Sequence, residues 1–126
     1  MAKDYTIAYL LDLYGPVLTE KQRVLMDCYY NDDLSLSEIS ENEGITRQGA
    51  RDGIKRAEGQ LRSLEEKLGL LRKSREQAAE AAKIRAAAAE AAALVEQGAG
   101  ESRVLGELQK IDRAAQRLQD GFAPGV

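Results

Sequence analysis

The stretch that decides the fold is residues 34–58, LSLSEISENEGITRQGARDGIKRAE. It opens with a capping box, in which Ser35 is the N-cap and Glu38, three residues later, reaches back to the backbone N–H of that cap. Gly44 stands where the first short helix must stop, because glycine adopts the left-handed conformation at little steric cost. Thr46 then caps a second helix. Two helices joined by so tight a turn form a helix-turn-helix unit.

The second helix of this unit carries a long apolar stripe. Its members recur at alternating spacings of four and three residues, which keeps them on one side of an α-helix. The stripe consists of Ala50, Ile54, Ala57, Leu61, Leu64, Leu68 and Leu71. We therefore predict an elongated recognition helix. Seven such positions exceed what a four-helix core requires, so they favour a further helix contact between subunits.

The opposite side of the second helix is basic. At about 100° per residue, Arg51, Lys55 and Arg62 lie within roughly 40° of one another, with Arg47 at their edge. In helix-turn-helix proteins this helix enters the major groove, where Arg, Gln and Lys contact bases and phosphates. The predicted DNA-binding residues are Thr46, Arg47, Gln48, Arg51, Lys55, Arg56 and Arg62. We assign base reading to Arg47, Gln48 and Arg51; a solvated basic face on an ordinary helix pair is the alternative.

Composition limits the possible functions. The 126 residues include 18 basic and 21 acidic side chains, a net charge of −3 that opposes non-specific binding to a polyanion. The local charge differs, because residues 46–56 hold four basic side chains against Asp52 alone. Histidine is absent and Cys28 is the single cysteine, so we predict no enzyme, no metal site and no cofactor. Cys28 is assigned to the core.

The segments before residue 34 complete a small all-α bundle. Ile7, Leu10, Leu11 and Tyr14 lie on one face of a first helix over residues 4–14, which Gly15-Pro16 terminates. A second capping box, Thr19 with Gln22, opens the next helix. Packing in the core or at its edge is favoured over base stacking for the three tyrosines of the first segment, Tyr5, Tyr9 and Tyr14. No signal segment and no run of ~20 apolar residues is present, so a cytoplasmic protein without a membrane span is expected.

Several motifs occur in order at the spacing of a known family. They are Leu11-Asp-Leu-Tyr14, Leu18-Thr-Glu-Lys-Gln-Arg23, residues 29–39, Thr46-Arg-Gln48, Ile54-Lys-Arg56 and Glu66-Lys-Leu-Gly-Leu70. In these residues the chain closely resembles the YlxM family, small bacterial helix-turn-helix proteins similar to region four of sigma factors. Genes of that family usually accompany those of the signal recognition particle protein Ffh and its receptor FtsY. The resemblance implies a regulatory protein with a part in that pathway, and it places the recognition helix on residues 46–56.

This chain departs from the family pattern inside the recognition helix. Where the family tends to have alanine and valine, this chain has Gly49 and Ala50, and Gly53 is a second interior glycine. Each glycine costs roughly 0.5–1 kcal/mol of helix stability relative to alanine. Two explanations are open: the first turns are loose until a partner orders them, or another helix approaches too closely for a side chain.

Beyond residue 70 the chain exceeds the family's usual length. We predict a helix-turn-helix domain over residues 1–70 and an alanine-rich helical extension over residues 71–126, folded as a helical hairpin or paired with a second subunit. Gly98-Ala-Gly100 separates the two helices of the extension. The last helix, Glu101 to Asp120, carries an apolar stripe predicted to be buried: Leu105, Leu108, Ile111, Ala115, Leu118 and Phe122.

Two hypotheses of function follow. The first is a DNA-binding regulatory protein, a homodimer that presents two recognition helices to half-sites, acting in the signal recognition particle pathway as the resemblance implies. The second is an adaptor that does not bind DNA and instead contacts the signal recognition particle protein or its RNA. The acidic balance and the interior glycines favour the second, whereas the basic side of the recognition helix favours the first.

Overall fold

A computed structural model describes the backbone of residues 1–122 and the side chains of residues 1–121. All regular secondary structure in this part of the chain is helical and no strand is present, which confirms the predicted all-α fold. The six α-helices are α1 (Thr6–Tyr14), α2 (Glu20–Met26), α3 (Leu36–Glu43), α4 (Arg47–Leu68), α5 (Leu70–Glu96) and α6 (Glu101–Phe122). A 3-10 turn, Gly15–Val17, follows α1, and a π-helical turn, Asp27–Asn31, extends α2. The chain divides into unit 1, Met1–Leu71, and unit 2, which begins at Arg72.

The predicted helix starts are confirmed by hydrogen bonds. Thr19 Oγ1 accepts from the Gln22 amide at 3.2 Å while Gln22 Oε1 accepts from the Thr19 amide at 3.1 Å, the two halves of a capping box. Ser35 and Glu38 form the second box, with both bonds at 3.1 Å. These reciprocal bonds satisfy backbone donors that have no partner inside the helix. They also define where the loops end.

The core of unit 1 forms around the inward face of α4. Helices α1, α2 and α3 all pack against α4, and the largest of the fully buried side chains are Ile7, Met26, Ile39, Ile54 and Leu61. Burying such a side chain is worth about 1.5–3 kcal/mol. The face of α1 predicted to be apolar is buried, whereas Tyr5 and Tyr9 are exposed on its other side, so core packing was wrong for these two tyrosines.

The apolar stripe of α4 is shorter than the periodicity indicated. Gly69 adopts φ +65 and its amide donates to the Glu65 carbonyl at 2.8 Å, so the helix ends at Leu68. Leu71 belongs to α5, and Leu68 remains 50% exposed. The single seven-residue stripe is therefore wrong in its last two positions, because a left-handed glycine interrupts a pattern that the spacing alone continues.

A polar cluster within unit 1 joins Tyr14 and Glu65 to Leu70 and Leu71. The Tyr14 hydroxyl donates to Glu65 Oε1 at 2.7 Å and accepts from the Leu70 amide at 3.0 Å. The Leu71 amide donates to the same carboxylate oxygen at 2.9 Å. Desolvation raises the pKa of Tyr14, and its hydrogen bond to Glu65 raises it further. Tyr14 thus has the predicted core position and also caps the first turn of α5.

In unit 2, α5 and α6 run antiparallel and join through a turn in which Gly98 has φ +71. Arg117 Nε donates to Glu80 Oε2 across the pair at 3.0 Å, which lowers the pKa of Glu80. The inward side of α6 differs from the predicted stripe. Leu105 and Leu108 are 53% and 50% exposed and Ala115 is exposed, whereas the buried or half-buried positions are Val104, Ile111, Ala114 and Leu118. The predicted burial of Phe122 lies outside the described side chains.

Candidate nucleic-acid interface

The turn between α3 and α4 fixes the start of the recognition helix. Gly44 adopts φ +64, and the amides of Gly44 and Ile45 both donate to the Ser40 carbonyl, the latter at 3.1 Å. Thr46 Oγ1 accepts from the Gly49 amide at 2.9 Å and caps α4. The helix-turn-helix therefore has the predicted boundaries, with the hydroxyl of Thr46 engaged in the cap.

Two glycines in the first turns of α4 bring other atoms close to its backbone. A Cβ at Gly53 would lie 2.6 Å from Leu25 Cδ1, a side chain of α2. A Cβ at Gly49 would lie 3.0 Å from Thr46 Oγ1, the capping oxygen. Of the two explanations left open by the sequence, close approach of another helix accounts for Gly53, and room for the cap accounts for Gly49. The first turns of α4 are held in place on this side.

The outward side of α4 carries a row of cations, Arg47, Arg51 and Lys55, which we call the cationic row. These residues follow one another at intervals of four, and all three side chains are exposed. Within residues 1–121, none of the three forms a hydrogen bond or an ion pair. Residues four apart lie on one face of a helix, so the positive charges act together on whatever lies above them.

Two other predicted contact residues, Gln48 and Arg56, lie off the cationic row. Gln48 is exposed beside the row, and its Nε2 donates to Asp52 Oδ1 at 2.8 Å. Arg56 is exposed but lies about 140° around the helix from Arg51, because five residues at about 100° each carry it past the row. Arg56 therefore lies off the cationic row, and its contact with DNA stays a prediction.

Arg62 forms ion pairs within the protein, although its side chain is 52% exposed. Its Nη2 lies 3.4 Å from Asp4 Oδ2 and 3.6 Å from Glu58 Oε2. Glu58 is a buried carboxylate, only 7% exposed. The contact of Arg62 with a phosphate stays a prediction, and these two ion pairs would have to give way for it to form. The spacing of four between Glu58 and Arg62 was a signal for one pair, whereas the sequence contains no local signal for Asp4.

The N-terminal segment of unit 1 lies close to the cationic row. Lys3 pairs with Asp33, which lowers the pKa of that carboxyl, and Lys3 Nζ stands 4.6 Å from the centre of the Tyr29 ring. The Tyr29 hydroxyl donates to the Met1 carbonyl at 3.2 Å. Burial raises the pKa of Tyr30 to about 12, and the charge of Glu58 adds to that shift. The contacts of Lys3 and Tyr29 place Met1 at a cavity of about 510 Å³ that is also lined by Leu36, Arg47, Gln48 and Arg51.

Acidic and apolar groups surround the same turn on its other side. Exposed carboxylates of α3 and α2 border a cavity of about 540 Å³, whose apolar walls are Val24, Leu25 and Ile45. Cys28 is half-buried and packs against the core, and burial raises the pKa of its thiol. Within the described residues no helix is long and apolar enough to cross a bilayer, and no group of acidic or sulfur side chains could hold a metal ion.

Comparison with known proteins finds similar helix-turn-helix proteins in bacteria. The family model UPF0122, described as "Putative helix-turn-helix protein, YlxM / p13 like", matches residues 1–99. A UPF0122 protein of Acetivibrio thermocellus is 51% identical over 70 residues, covering 56% of this chain and 60% of the relative. One of Clostridium botulinum is 56% identical over 64 residues, covering 51% and 59%. The chain thus spans about 60% of the length of these curated relatives.

Proposed function

We propose that this chain, which belongs to the UPF0122 family of YlxM / p13-like helix-turn-helix proteins, binds duplex DNA through the first turns of α4 and acts as a regulatory protein. The observation that carries the proposal is the cationic row, whose three exposed side chains have no partner among residues 1–121. The caps at Thr46 and Gly44 and the core contacts of α4 hold this row in one orientation. A fixed row of cations at the start of a second helix suits the major groove.

The distribution of charge supports DNA binding at one local surface rather than non-specific binding over the whole protein. A net charge of −3 disfavours non-specific attachment to DNA, and Asp52 and the carboxylates of α3 lie near the turn. Arg47 and Arg51 are assigned to base edges and Lys55 to a phosphate. Arg56 lies outside this face, and Arg62 would have to leave Asp4 and Glu58 to reach a phosphate.

The proposal includes a homodimer paired through unit 2. Leu105, Leu108 and Val95 are exposed apolar side chains at the turn end of the hairpin, and they border a cavity of about 630 Å³. These side chains and the cavity lie on one surface. Such a surface can pair with a second copy about a two-fold axis, so that the apolar side chains of each copy enter the cavity of the other. A dimer would offer two copies of α4 to half-sites about 34 Å apart. Light scattering of Leu105→Glu/Leu108→Glu tests this, since the parent should have twice the mass of the variant.

Fluorescence anisotropy tests DNA binding directly. The full chain is titrated into labelled random duplex and into its own upstream region at two salt concentrations. The double variant Arg47→Ala/Arg51→Ala should lose binding. Lys55→Ala, which removes the proposed phosphate contact, should instead reduce the slope of log K against log salt by about 0.9.

The matched control is Arg85→Ala/Arg103→Ala, which removes the same charge from exposed positions of α5 and α6. It should bind as the parent does. If both double variants bind DNA equally well, the assignment of the face is wrong, and if the parent binds no duplex at low salt, DNA binding is wrong.

An adaptor that contacts the signal recognition particle protein or its RNA is the second candidate. The observation that favours it is the apolar cavity beside the turn, because Ile45 is 40% exposed next to acidic Glu43 and Glu20. Exposed apolar surface rimmed by polar residues is typical of protein contacts. Pull-down with that particle protein, with Ile45→Glu as the disrupting variant and Val17→Glu as an exposed apolar control, decides between the candidates. No enrichment over the variant would refute the adaptor.

A further inference from the structure

The exposed side of α4 carries two parallel rows of opposite hydrogen-bonding character. The first is the cationic row, in which Arg47 and Arg51 present only donors. The second row is Gln48 and Asp52, each one residue further along the chain and therefore about 100° around the helix. A donor row thus lies beside a row that contains a carboxylate.

The second row is arranged to accept hydrogen bonds. Gln48 Nε2 donates to Asp52 Oδ1 at 2.8 Å, which orients the amide and leaves its carbonyl oxygen available. The other carboxylate oxygen of Asp52 is an acceptor as well, and the residue is exposed. A carboxylate is repelled by phosphates, so the groups in DNA that can satisfy it are amino groups on base edges.

Base pairs differ in the order of donors and acceptors that they show in the major groove. A G·C pair presents two acceptors on guanine, N7 and O6, followed by the amino donor of cytosine. An A·T pair alternates instead, with the adenine amino donor between two acceptors. A donor row beside an acceptor row therefore matches G·C, with guanine under the arginines and cytosine under Gln48 and Asp52.

The spacing along the helix sets the spacing of the pairs. Four residues at 1.5 Å each separate Arg47 from Arg51, and Gln48 from Asp52, by about 6 Å. This is close to two base-pair steps of about 3.4 Å. Each arginine and its acceptor neighbour would then address one pair, and the two pairs would be separated by one that is not read by either.

We infer that α4 reads two G·C pairs two steps apart with both guanines on the same strand, Arg47 and Arg51 binding the guanines and Gln48 and Asp52 the cytosines. This inference rests on the proposed DNA binding and adds the sequence that is bound. It makes Asp52 a specificity residue, although the carboxylate opposes DNA binding in general.

Selection from duplexes with a randomised centre tests the inference, using the full chain at low salt. The expected product contains guanine, any base, guanine on one strand. Anisotropy on the selected duplex should then show about tenfold weaker binding when either pair becomes A·T. Replacing guanine by 7-deazaguanine removes the N7 acceptor and should also weaken binding. Replacing it by inosine removes only a minor-groove amino group and should change affinity less than twofold.

A substitution separates specificity from affinity. Asp52→Asn should strengthen binding to duplexes that lack G·C at the second position, because it removes a negative charge, while it reduces the preference for G·C over A·T at that position. The matched control Asp12→Asn removes an exposed carboxylate from α1 and should alter neither quantity. Duplex binding without enrichment of the guanine pair, or a greater loss with inosine than with 7-deazaguanine, would overturn the inference and leave DNA binding standing. Failure to bind any duplex at low salt would overturn both.

Discussion

Gly53 offers a quantitative test of how tightly the recognition helix is packed. Replacing an interior glycine by alanine stabilises a helix by about 0.5–1 kcal/mol when the new methyl group has room. Gly59, also inside α4, has no atom within 4 Å of the Cβ position, so Gly59→Ala should show this gain. At Gly53 the same methyl group would lie 2.6 Å from Leu25 Cδ1, so Leu25 must move.

The expected difference follows from those two positions. Forcing a methyl group into a packed contact costs about 1–3 kcal/mol. Against the helix gain of about 0.5–1 kcal/mol, Gly53→Ala should lower the free energy of unfolding by about 1 kcal/mol. The two alanine variants, six residues apart in the same helix, should therefore change stability in opposite directions.

Tyrosine fluorescence during urea unfolding measures this in the intact chain. All five tyrosines lie in unit 1 and the chain has no tryptophan, so the signal reports the unit that contains α4. A double-mutant cycle adds Leu25→Ala, which removes the contacting atom. In that background Gly53→Ala should stabilise as Gly59→Ala does. If Gly53→Ala stabilises the chain with Leu25 present, close packing at Gly53 is refuted.

Three further predictions concern the surroundings of the interface. Tyr14→Phe should lower the melting temperature by about 5 °C, because the Leu70 amide and Glu65 lose a buried partner, while the exposed Tyr5→Phe serves as a neutral control in the same thermal scan. Thr46→Ala should cost about 1 kcal/mol in urea unfolding and should weaken DNA binding without changing its sequence preference, because it removes only the cap. The pKa of Asp4 is lowered chiefly by the Thr6 amide and then by Arg62, so its stabilisation is present above an aspartate pKa of about 4 and is lost as the pH falls through the lower folded value. Asp4→Asn should flatten that acid loss in unfolding curves measured from pH 6 to pH 2.

Local signals predicted most of the fold. Both capping boxes and the stop at Gly44 depend on residues three or four apart, so the sequence contained all their atoms. The family resemblance, also drawn from short ordered motifs, is confirmed by the match over residues 1–99. Where the prediction failed, periodicity was ambiguous. The stripe through Leu71 continued in spacing across Gly69, whose left-handed backbone ends the helix.

The error in α6 has a different physical origin. At about 100° per residue, the apolar residues of this helix span one wide arc, from Leu105 at one edge through Leu108 and Val104 to Ala114 at the other. A repeat of 3.6 residues therefore could not decide which part of the arc faces α5. In the candidate interface, the contacts that the sequence did not predict join residues far apart in the chain. Asp4 pairs with Arg62 across 58 residues, and Leu25 reaches Gly53 from another helix. Base contacts by Arg47, Gln48 and Arg51 stay predictions.

The acidic composition of the chain and its proposed binding to DNA are compatible because the charges are unequally paired. In unit 1, Lys3 is neutralised by Asp33, and Arg62 is neutralised by Asp4 and Glu58. The cationic row has no such partner among residues 1–121. Lys21, Arg23, Arg56 and Lys67 of unit 1 have none either, but only the row places three such charges at intervals of four on one face of a helix. Since exposed charges act mainly within a Debye length of about 10 Å, a phosphate beside Arg51 experiences this row far more strongly than distant carboxylates. Such a surface should bind DNA only where base contacts add to a small number of charge contacts, which makes sequence preference a condition of binding for this protein.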